Sequence, residues 1–255
     1  GKAIALRAAH DGANIIIAAK SDKPHPKLPG TIFSVAKEIE NAGGRALPLK
    51  LDVRDEQAVI ETVNKAASHF DGLDILINNA SAIALTKTPD TPMRSFDLMH
   101  SVNVRGTFAC SKACLPYLVK SENPHILNLS PPLNMDPLWF RDHLAYTMSK
   151  YGMSMCVLGM AAEFRSKGVA VNALWPRTVI DTAAISMLGD VVKADNCRTP
   201  AIMADAAHEI LCRDSKTTTG NFFIDEDLLR TTGVKDFDPY AVKAGQPLMK
   251  DLFLD

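Results

Sequence analysis

Apolar residues along this chain follow two spacings, one typical of helices and one typical of buried strands. Short apolar runs such as NIIIAA and LDILIN alternate with longer segments in which apolar positions recur every three or four residues. This alternation is typical of successive β-α-β units. Because the short runs are apolar throughout, helices are expected to cover both faces of their sheet. The pattern therefore predicts an α/β fold with a doubly wound parallel sheet.

The same spacings set the predicted element bounds. Helices are predicted at 2–10, 31–42, 56–70, 92–118, 143–164 and 202–212, and strands at 14–19, 45–51, 73–77, 125–129, 169–174 and 221–224. No shift in composition divides the chain, so residues 1–255 are predicted to form one domain. Three irregular stretches, at 21–30, 131–142 and 177–200, are long enough to be functional, and the last is predicted to be a lid.

The chain opens with a predicted helix, whereas a doubly wound sheet begins with a strand that becomes one of its most buried members. A first strand and a Gly-rich turn are therefore expected upstream of these residues in the natural polypeptide. Gly1 would then be the last glycine of that turn.

Composition narrows the classes of function. The 255 residues carry a formal net charge of -1, which gives no electrostatic basis for binding nucleic acid. No apolar run is long enough for a membrane span, and no leader pattern opens the chain. The five cysteines show no C-x-x-C spacing, so reduced thiols and no metal site are predicted. An intracellular and most simply cytoplasmic location is expected, with the mitochondrion or peroxisome open.

Tyr146 and Lys150 stand four residues apart in the motif YTMSK, inside an otherwise apolar, Met-rich segment. This spacing places both side chains on one face of a helix, within reach of each other. A free phenol has a pKa of about 10, and a nearby cation favours the phenolate, so Lys150 is expected to lower the pKa of Tyr146. The pair is suited to exchange a proton with a hydroxyl or carbonyl oxygen.

The same two residues also fit a structural role, in which the tyrosine ring packs inward and the lysine extends to solvent. Other motifs bear on the choice, namely LDV at 51–53, INNAS at 77–81, VNVRG at 102–106 and VNALWP at 171–176. With the opening GKAIALRAAHDGANIIIAAK, their order and spacing resemble those of the short-chain dehydrogenase/reductase family over essentially the whole chain. ILNLSPPLN, NALWPRT and GNFFIDED are most similar to its hydroxysteroid dehydrogenase-like group.

The resemblance implies a Rossmann fold that binds a nicotinamide dinucleotide at the carboxyl ends of the strands. Gly1 would lie at the pyrophosphate, at a helix N-terminus. Lys20, at the end of the 14–19 strand, would pair with a 2′-phosphate and favours NADP(H), with NAD(H) possible because Asp22 is near. Asp52 and the Val53 amide would contact the adenine, unless Asp52 only caps a helix.

The remaining cofactor residues follow from the same resemblance. Asn79 and Ala80 match a family motif that lines the adenosine ribose, although Ser81 stands where a glycine is usual. Pro176 and the backbone of Val179 would hold the nicotinamide carboxamide. Lys150 would contact the nicotinamide ribose.

The family's catalytic set is incomplete in this chain. Asn103 matches an asparagine that interrupts a helix and holds a water next to Lys150. The serine that polarises the substrate oxygen is replaced by Pro131, and Ser130 lies one residue earlier. Ser130 reaches the site only if the Pro131-Pro132 turn rotates it inward, since alternation along a strand points it the other way.

Two functions are consistent with these residues. The first is an oxidoreductase that transfers hydride between NADP(H) and a small-molecule carbonyl or alcohol, apolar or lipid-like in character. The second, favoured by Pro131, is a dinucleotide-binding redox sensor or scaffold with little turnover. A homodimer or homotetramer is implied by the resemblance, with the stripe of Met153, Val157 and Met160 facing a second subunit.

Overall fold

The computed structural model describes residues 1–24, 30–186 and 192–255. The chain divides into two compact units that share it in alternating segments. The first comprises Gly1–Lys50, Leu174–Cys212 and Phe223–Leu254, and the second comprises Leu51–Ala173, Arg213–Phe222 and Asp255. The predicted 21–30 loop and the predicted lid at 177–200 fall partly outside the described residues. The single-domain assignment stays a prediction.

The strands and helices lie close to their predicted positions. The strands are β1 (Asn14–Ala19), β2 (Arg45–Lys50), β3 (Ile75–Asn78), β4 (His125–Asn128), β5 (Ala170–Trp175) and β6 (Phe222–Ile224). The helices are α1 (Lys2–His10), α2 (Ile32–Asn41), α3 (Glu56–Phe70), α4 (Met93–Met99), α5 (Thr107–Leu118), α6 (Leu144–Phe164), α7 (Ala183–Ser186), α8 (Ala201–Leu211) and α9 (Asp225–Thr231). The short helices α7 and α9 were not predicted.

The first unit contains the parallel pair β1 and β2, in register from Asn14 opposite Arg45 to Ala19 opposite Lys50. Helix α2 between them begins with a capping box in which Thr31 and Ser34 each accept the other's backbone N–H. Gly44 leads into β2 against α1, where a Cβ would lie 2.8 Å from the Cβ of Ala9. A side chain there would separate α1 from the strand pair.

The second unit contains the centre of a four-stranded sheet with the order β3-β4-β5-β6. Strands β3, β4 and β5 are parallel neighbours. Every residue of β4 and β5 is buried, as expected where helices cover both faces of a sheet. Parallel strands joined by helices confirm the predicted α/β class.

The predicted long helix at 92–118 is broken into three parts. Helix α4 runs into a π-helical segment, His100–Gly106, and then into α5. The π segment packs against α6 so closely that Gly152 of α6 has no space for a side chain, since a Cβ there would lie 2.5 Å from Cγ2 of Val104. Gly159, two turns further along α6, has no atom within 4 Å of its Cβ position.

Gly152→Ala is expected to destabilise the protein by about 1–3 kcal/mol, because the added methyl group overpacks the contact with Val104. The matched control is Gly159→Ala on the same helix, which should stabilise by about 0.5–1 kcal/mol, since alanine is the better helix former. Urea denaturation of both variants measures the difference. Equal effects of the two substitutions would show that the close contact does not constrain position 152.

His125, the first residue of β4, is a fully buried histidine. Its Nε2 lies 3.0 Å from the carbonyl oxygen of Arg213. A carbonyl can only accept, so Nε2 carries the proton. Nδ1 is then without a proton, and it is buried with no hydrogen-bond partner in the described part of the chain. Burial lowers the pKa of His125, against weaker opposing effects from that hydrogen bond and from Asp214.

The lowered pKa predicts a specific pH dependence of stability. The folded state disfavours protonated His125, so stability is present above the ordinary imidazole pKa of about 6.5 and falls as pH drops through the lower folded value. Each such histidine contributes a slope of at most about 1.4 kcal/mol per pH unit. Urea unfolding measured at several pH values below about 6.5 gives the free energy of unfolding as a function of pH. This free energy should fall less steeply with decreasing pH for His125→Gln than for the wild type. His69→Gln, at an exposed position on α3, should keep the wild-type slope.

Candidate active site

Tyr146 and Lys150 lie on the buried face of α6, only 6% and 3% exposed. The ammonium of Lys150 donates to the carbonyl oxygen of Leu129 at 2.6 Å, just beyond the carboxyl end of β4, and lies 3.4 Å from Sδ of Met153. A lysine that snorkels to solvent would be exposed at its end, so the alternative structural role does not describe this residue. The helix therefore brings a phenol and an ammonium to the end of a central strand.

The predicted intersubunit stripe on α6 is wrong. Met153, Val157 and Met160 are buried within the chain's own fold, because they share the inward face of α6 with Tyr146 and Lys150. The large apolar side chains that α6 exposes are Leu144, Met148, Met155 and Leu158.

Asn103 lies in the middle of the π segment and is fully buried. Its Oδ1 accepts from the backbone N–H of Ala82 at 2.7 Å, and its Nδ2 donates to the carbonyl of Ala82 at 2.9 Å and to Oγ of Ser149 at 2.9 Å. Ser149 in turn donates to the carbonyl of Tyr146 at 2.8 Å. Asn103 thus connects the segment after β3 with the turn of α6 that carries the tyrosine. Its predicted water-holding role stays a prediction.

Ser130 is fully buried, and its hydroxyl has no hydrogen-bond partner among the described residues. Buried polar groups are nearly always satisfied, so this hydroxyl is an exception. The next residue, Pro131, is also buried, and its carbonyl accepts from Oγ of Ser154 at 2.6 Å. The catalytic role of Ser130 stays a prediction.

Asn78 and Asn128, the last residues of β3 and β4, were not singled out in the sequence. Nδ2 of Asn78 donates to Oδ1 of Asn128 at 2.8 Å and to Oγ of Ser111 on α5 at 3.1 Å. Nδ2 of Asn128 donates to the carbonyl of Met153 on α6 at 3.3 Å. The signal was an asparagine at the end of two successive apolar runs, INN and ILN. Asn79 and Ala80, which were predicted to line the ribose, follow β3 directly and are exposed.

His143 is a third residue that the sequence did not reveal. It immediately precedes α6, is buried, and lies edge-on to Tyr146 with 6.4 Å between ring centroids. Its Nδ1 lies 2.9 Å from Oγ1 of Thr147, whose own proton goes to the carbonyl of Trp139 at 2.5 Å. Nδ1 must therefore be the donor. Burial lowers the pKa of His143, which favours a neutral ring beside the phenol.

Two predicted cofactor residues, Gly1 and Lys20, lie in the first unit. Gly1 is the N-cap of α1, and its carbonyl accepts from the N–H of Ala5 at 3.0 Å. Lys20 follows β1 directly and is exposed. Asp22 forms an ion pair with Lys50 at 2.8 Å, and this hydrogen bond lowers the pKa of its carboxyl. The sequence alone suggested that the Asp22 carboxylate would disfavour a phosphate at Lys20. Because Lys50 pairs with Asp22, this objection is weaker.

Asp52 and Val53 come shortly after β2 in the sequence and belong to the second unit. The Asp52 carboxylate accepts from Nε and Nη2 of Arg54 at 2.9 and 2.5 Å. Its Oδ1 also accepts from the Arg54 backbone N–H at 3.1 Å. Asp55, not Asp52, caps α3 through the N–H of Ala58. The alternative helix-capping role of Asp52 is therefore wrong.

Pro176 and Val179 lie after β5 in the first unit, and both are buried. The N–H of Val179 donates to the carbonyl of Met249 at 2.9 Å, and its carbonyl accepts from the N–H of Arg198 at 3.0 Å. Only the second lone pair of that carbonyl remains for a carboxamide. Arg177, between the two, forms an ion pair with Asp227.

Within the described ranges, no group of three or more His, Cys, Asp or Glu side chains is placed to hold a metal ion. In the part of the chain that the structure describes, no helix has both the length and the hydropathy needed to cross a bilayer. All five cysteines are free thiols.

Comparison with known proteins gives the same family as the sequence motifs. The profile of the family described as short chain dehydrogenase matches residues 1–190. Hydroxysteroid dehydrogenase-like protein 2 of Danio rerio is 60% identical over 255 residues, which are all of this chain but only 61% of that relative's length. The crystal structure of a short chain dehydrogenase from Mycobacterium thermoresistibile is 48% identical, has a TM-score of 0.94, and covers 100% of this chain and 91% of its own.

A more distant structure shares the fold. It is a metagenomic short-chain oxidoreductase in complex with NADP, 22% identical, with a TM-score of 0.71 over 88% of this chain and 90% of its own. The match of the family profile to most of the chain, together with relatives near 60% identity over its whole length, confirms the resemblance seen in the motifs. The chain belongs to the short-chain dehydrogenase/reductase family.

Proposed function

We propose that this chain is an oxidoreductase in which Tyr146 moves the proton while hydride passes between a nicotinamide dinucleotide and a carbonyl or carbinol carbon. The observation that carries the proposal is the burial of Tyr146 and Lys150 one turn apart at the end of β4. In the direction of reduction, Tyr146 would give its phenol proton to the carbonyl oxygen, while a bound reduced dinucleotide would supply the hydride that the carbonyl carbon accepts. The Lys150 ammonium stabilises the phenolate that remains.

In each unit, the residues that follow the strands are of the chemical kinds that bind a dinucleotide. An exposed cation (Lys20), a carboxylate (Asp52) and an exposed amide (Asn79) are donors and acceptors suited to phosphate, adenine and ribose. Gly1, Val53, Ala80, Pro176 and Val179 complete the proposed contacts, with Val179 limited to its carbonyl. The dinucleotide, when bound, supplies or accepts the hydride. Lys20 favours NADP(H), as does the NADP in the metagenomic relative.

The substrate is proposed to be apolar or lipid-like. Ile83 and Leu85, in the segment after β3, and Met135 and Leu138, in the segment after β4, expose large apolar side chains. In α/β folds ligands bind beyond the carboxyl ends of the strands, where these two segments begin. An apolar substrate would be bound there through burial of its hydrocarbon surface.

Tyr146→Phe is expected to lower turnover at least about 100-fold, because it removes the group that exchanges the proton. The assay follows oxidation of NADPH with a panel of aldehydes and ketones. Calorimetric titration with NADPH and NADH should give unchanged affinities in this variant, with NADPH bound more tightly. Tyr117→Phe, which loses a surface hydrogen bond to Asn64, is the matched control and should keep wild-type turnover.

Pro131 favours the second candidate function, a sensor or scaffold that binds the dinucleotide with little turnover. No hydroxyl stands at the family's serine position, and the neighbouring Ser130 is buried and unpaired in the described structure. The same assay distinguishes the candidates. Tight binding of NADPH without oxidation across the whole panel would exclude the oxidoreductase and support the sensor.

Self-association is proposed to involve the outer faces of α5 and α6. These helices expose Phe108, Met148, Met155 and Leu158 at 55%, 45%, 57% and 49%. Large exposed apolar side chains on neighbouring helices are typical of subunit interfaces. A two-fold axis would pair this surface with itself in a homodimer, or within a homotetramer.

Light scattering of the purified protein should give a mass of two or four chains. Replacing Met155 and Leu158 by glutamate is expected to release monomers, because charges would enter an apolar interface. Met135→Glu, at a position outside these helices, should leave the mass unchanged. A monomeric wild type would contradict the proposal.

A further inference from the structure

Three hydroxyl side chains of α6 hold the connection between β4 and α6. Thr147 donates to the carbonyl of Trp139 at 2.5 Å, Tyr151 donates to the carbonyl of Asn134, and Ser154 donates to the carbonyl of Pro131 at 2.6 Å. We name this set, Thr147, Tyr151 and Ser154, the hydroxyl ladder. Its spacings of four and three residues place the donors along one face of the helix.

The ladder is buried, and its acceptors are all main-chain carbonyls. Thr147 and Ser154 are 0% exposed and Tyr151 is 2% exposed. Burial raises the pKa of Tyr151 to about 12, so its phenol stays protonated and donates at any neutral pH. The Tyr151 ring also meets Phe140 edge-on with 5.5 Å between centroids. Donors of this kind hold a backbone in place, because a buried hydroxyl would lose its hydrogen-bond partner if the carbonyl moved away.

The backbone of 131–142 is therefore held at three points, whereas two of its large side chains are not buried. Met135 is 66% exposed and Leu138 is 44% exposed. A turn in which Asp136 accepts from the N–H of Leu138 at 2.8 Å lies between them. The segment presents apolar side chains outward on a backbone that is pinned to α6.

Both ends of this segment meet the proposed catalytic residues. It begins after Leu129, whose carbonyl binds Lys150, and it is followed by His143, whose ring lies against Tyr146. During turnover the substrate must lie against Tyr146. Thr147, the residue after Tyr146, binds the carbonyl of Trp139, the residue after Leu138. The chain of a substrate that reacts at Tyr146 is therefore the occupant that we expect to cover Met135 and Leu138.

We propose that the hydroxyl ladder is a positioning device that holds Met135 and Leu138 as the binding surface for an aliphatic chain of the substrate. The inference rests on the proposed function and deepens it, because it specifies a substrate with a linear apolar chain next to the reacting carbon. It also assigns a role to three buried hydroxyls that do not take part in proton transfer.

The test compares binding of 1-octanol and 1-butanol by titration calorimetry on the full chain. A methylene group that becomes fully buried contributes about fourfold to affinity. Wild type is expected to bind octanol at least tenfold more tightly than butanol. Tyr151→Phe and Met135→Ser should each lower this ratio about threefold or more. Tyr240→Phe, which loses a partly buried phenol hydrogen bond to Asp205 in the first unit, should keep the wild-type ratio.

A loss of stability alone would not change the octanol-to-butanol affinity ratio of a variant. The ratio therefore separates a positioning role from a purely structural one. A wild-type ratio near one, or a Tyr151→Phe ratio equal to that of the wild type, overturns the inference. Should Tyr151→Phe fail to fold, Ser154→Ala replaces it with the same expectation. The test measures binding and needs no turnover. An absence of NADPH oxidation would therefore count against the proposed function, whereas the octanol-to-butanol affinity ratios alone decide this inference.

Discussion

The buried ammonium of Lys150 constrains where β4 ends and how α6 is rotated. Lys150 is almost fully shielded from water, and a buried charge is tolerated only where oxygen atoms replace its hydration. The carbonyl of Leu129 meets this need because β4 ends there, where the strand no longer uses all its acceptors for its neighbours. The position of the strand end, the rotation of α6 and the location of Tyr146 therefore depend on one another.

Side-chain amides stabilise the same region where regular secondary structure stops. Asn78 and Asn128 connect two strand ends to α5 and α6, and Asn103 satisfies both backbone groups of Ala82. An amide carries donors and an acceptor on one short side chain, so it can bridge elements whose backbone groups are too far apart to pair. The result is a polar network within the apolar centre of the second unit.

Periodicity predicted most of the fold, because burial on a sheet or on one side of a helix imposes a regular spacing on apolar residues. It gave β1, α3 and α6 within a residue, and the Tyr146-Lys150 spacing correctly placed the two side chains of the candidate site on one buried helix face. It missed α9, where Asp225 and Glu226 are polar yet buried. It also placed Met153 on the wrong side of α6, since an apolar stripe does not reveal which surface it faces. Hydrogen bonds between distant residues, such as Tyr151 to Asn134, leave no periodic signal.

One close contact connects two parts of the site that the sequence treats separately. A Cβ on Gly106, the last residue of the π segment, would lie 2.8 Å from Cγ2 of Val53 in the turn after β2. The segment carrying Asn103 and the turn proposed to contact adenine thus pack directly against each other. A displacement of one must therefore be transmitted to the other, so the turn proposed to contact adenine and the segment that positions the tyrosine-bearing turn of α6 are mechanically coupled.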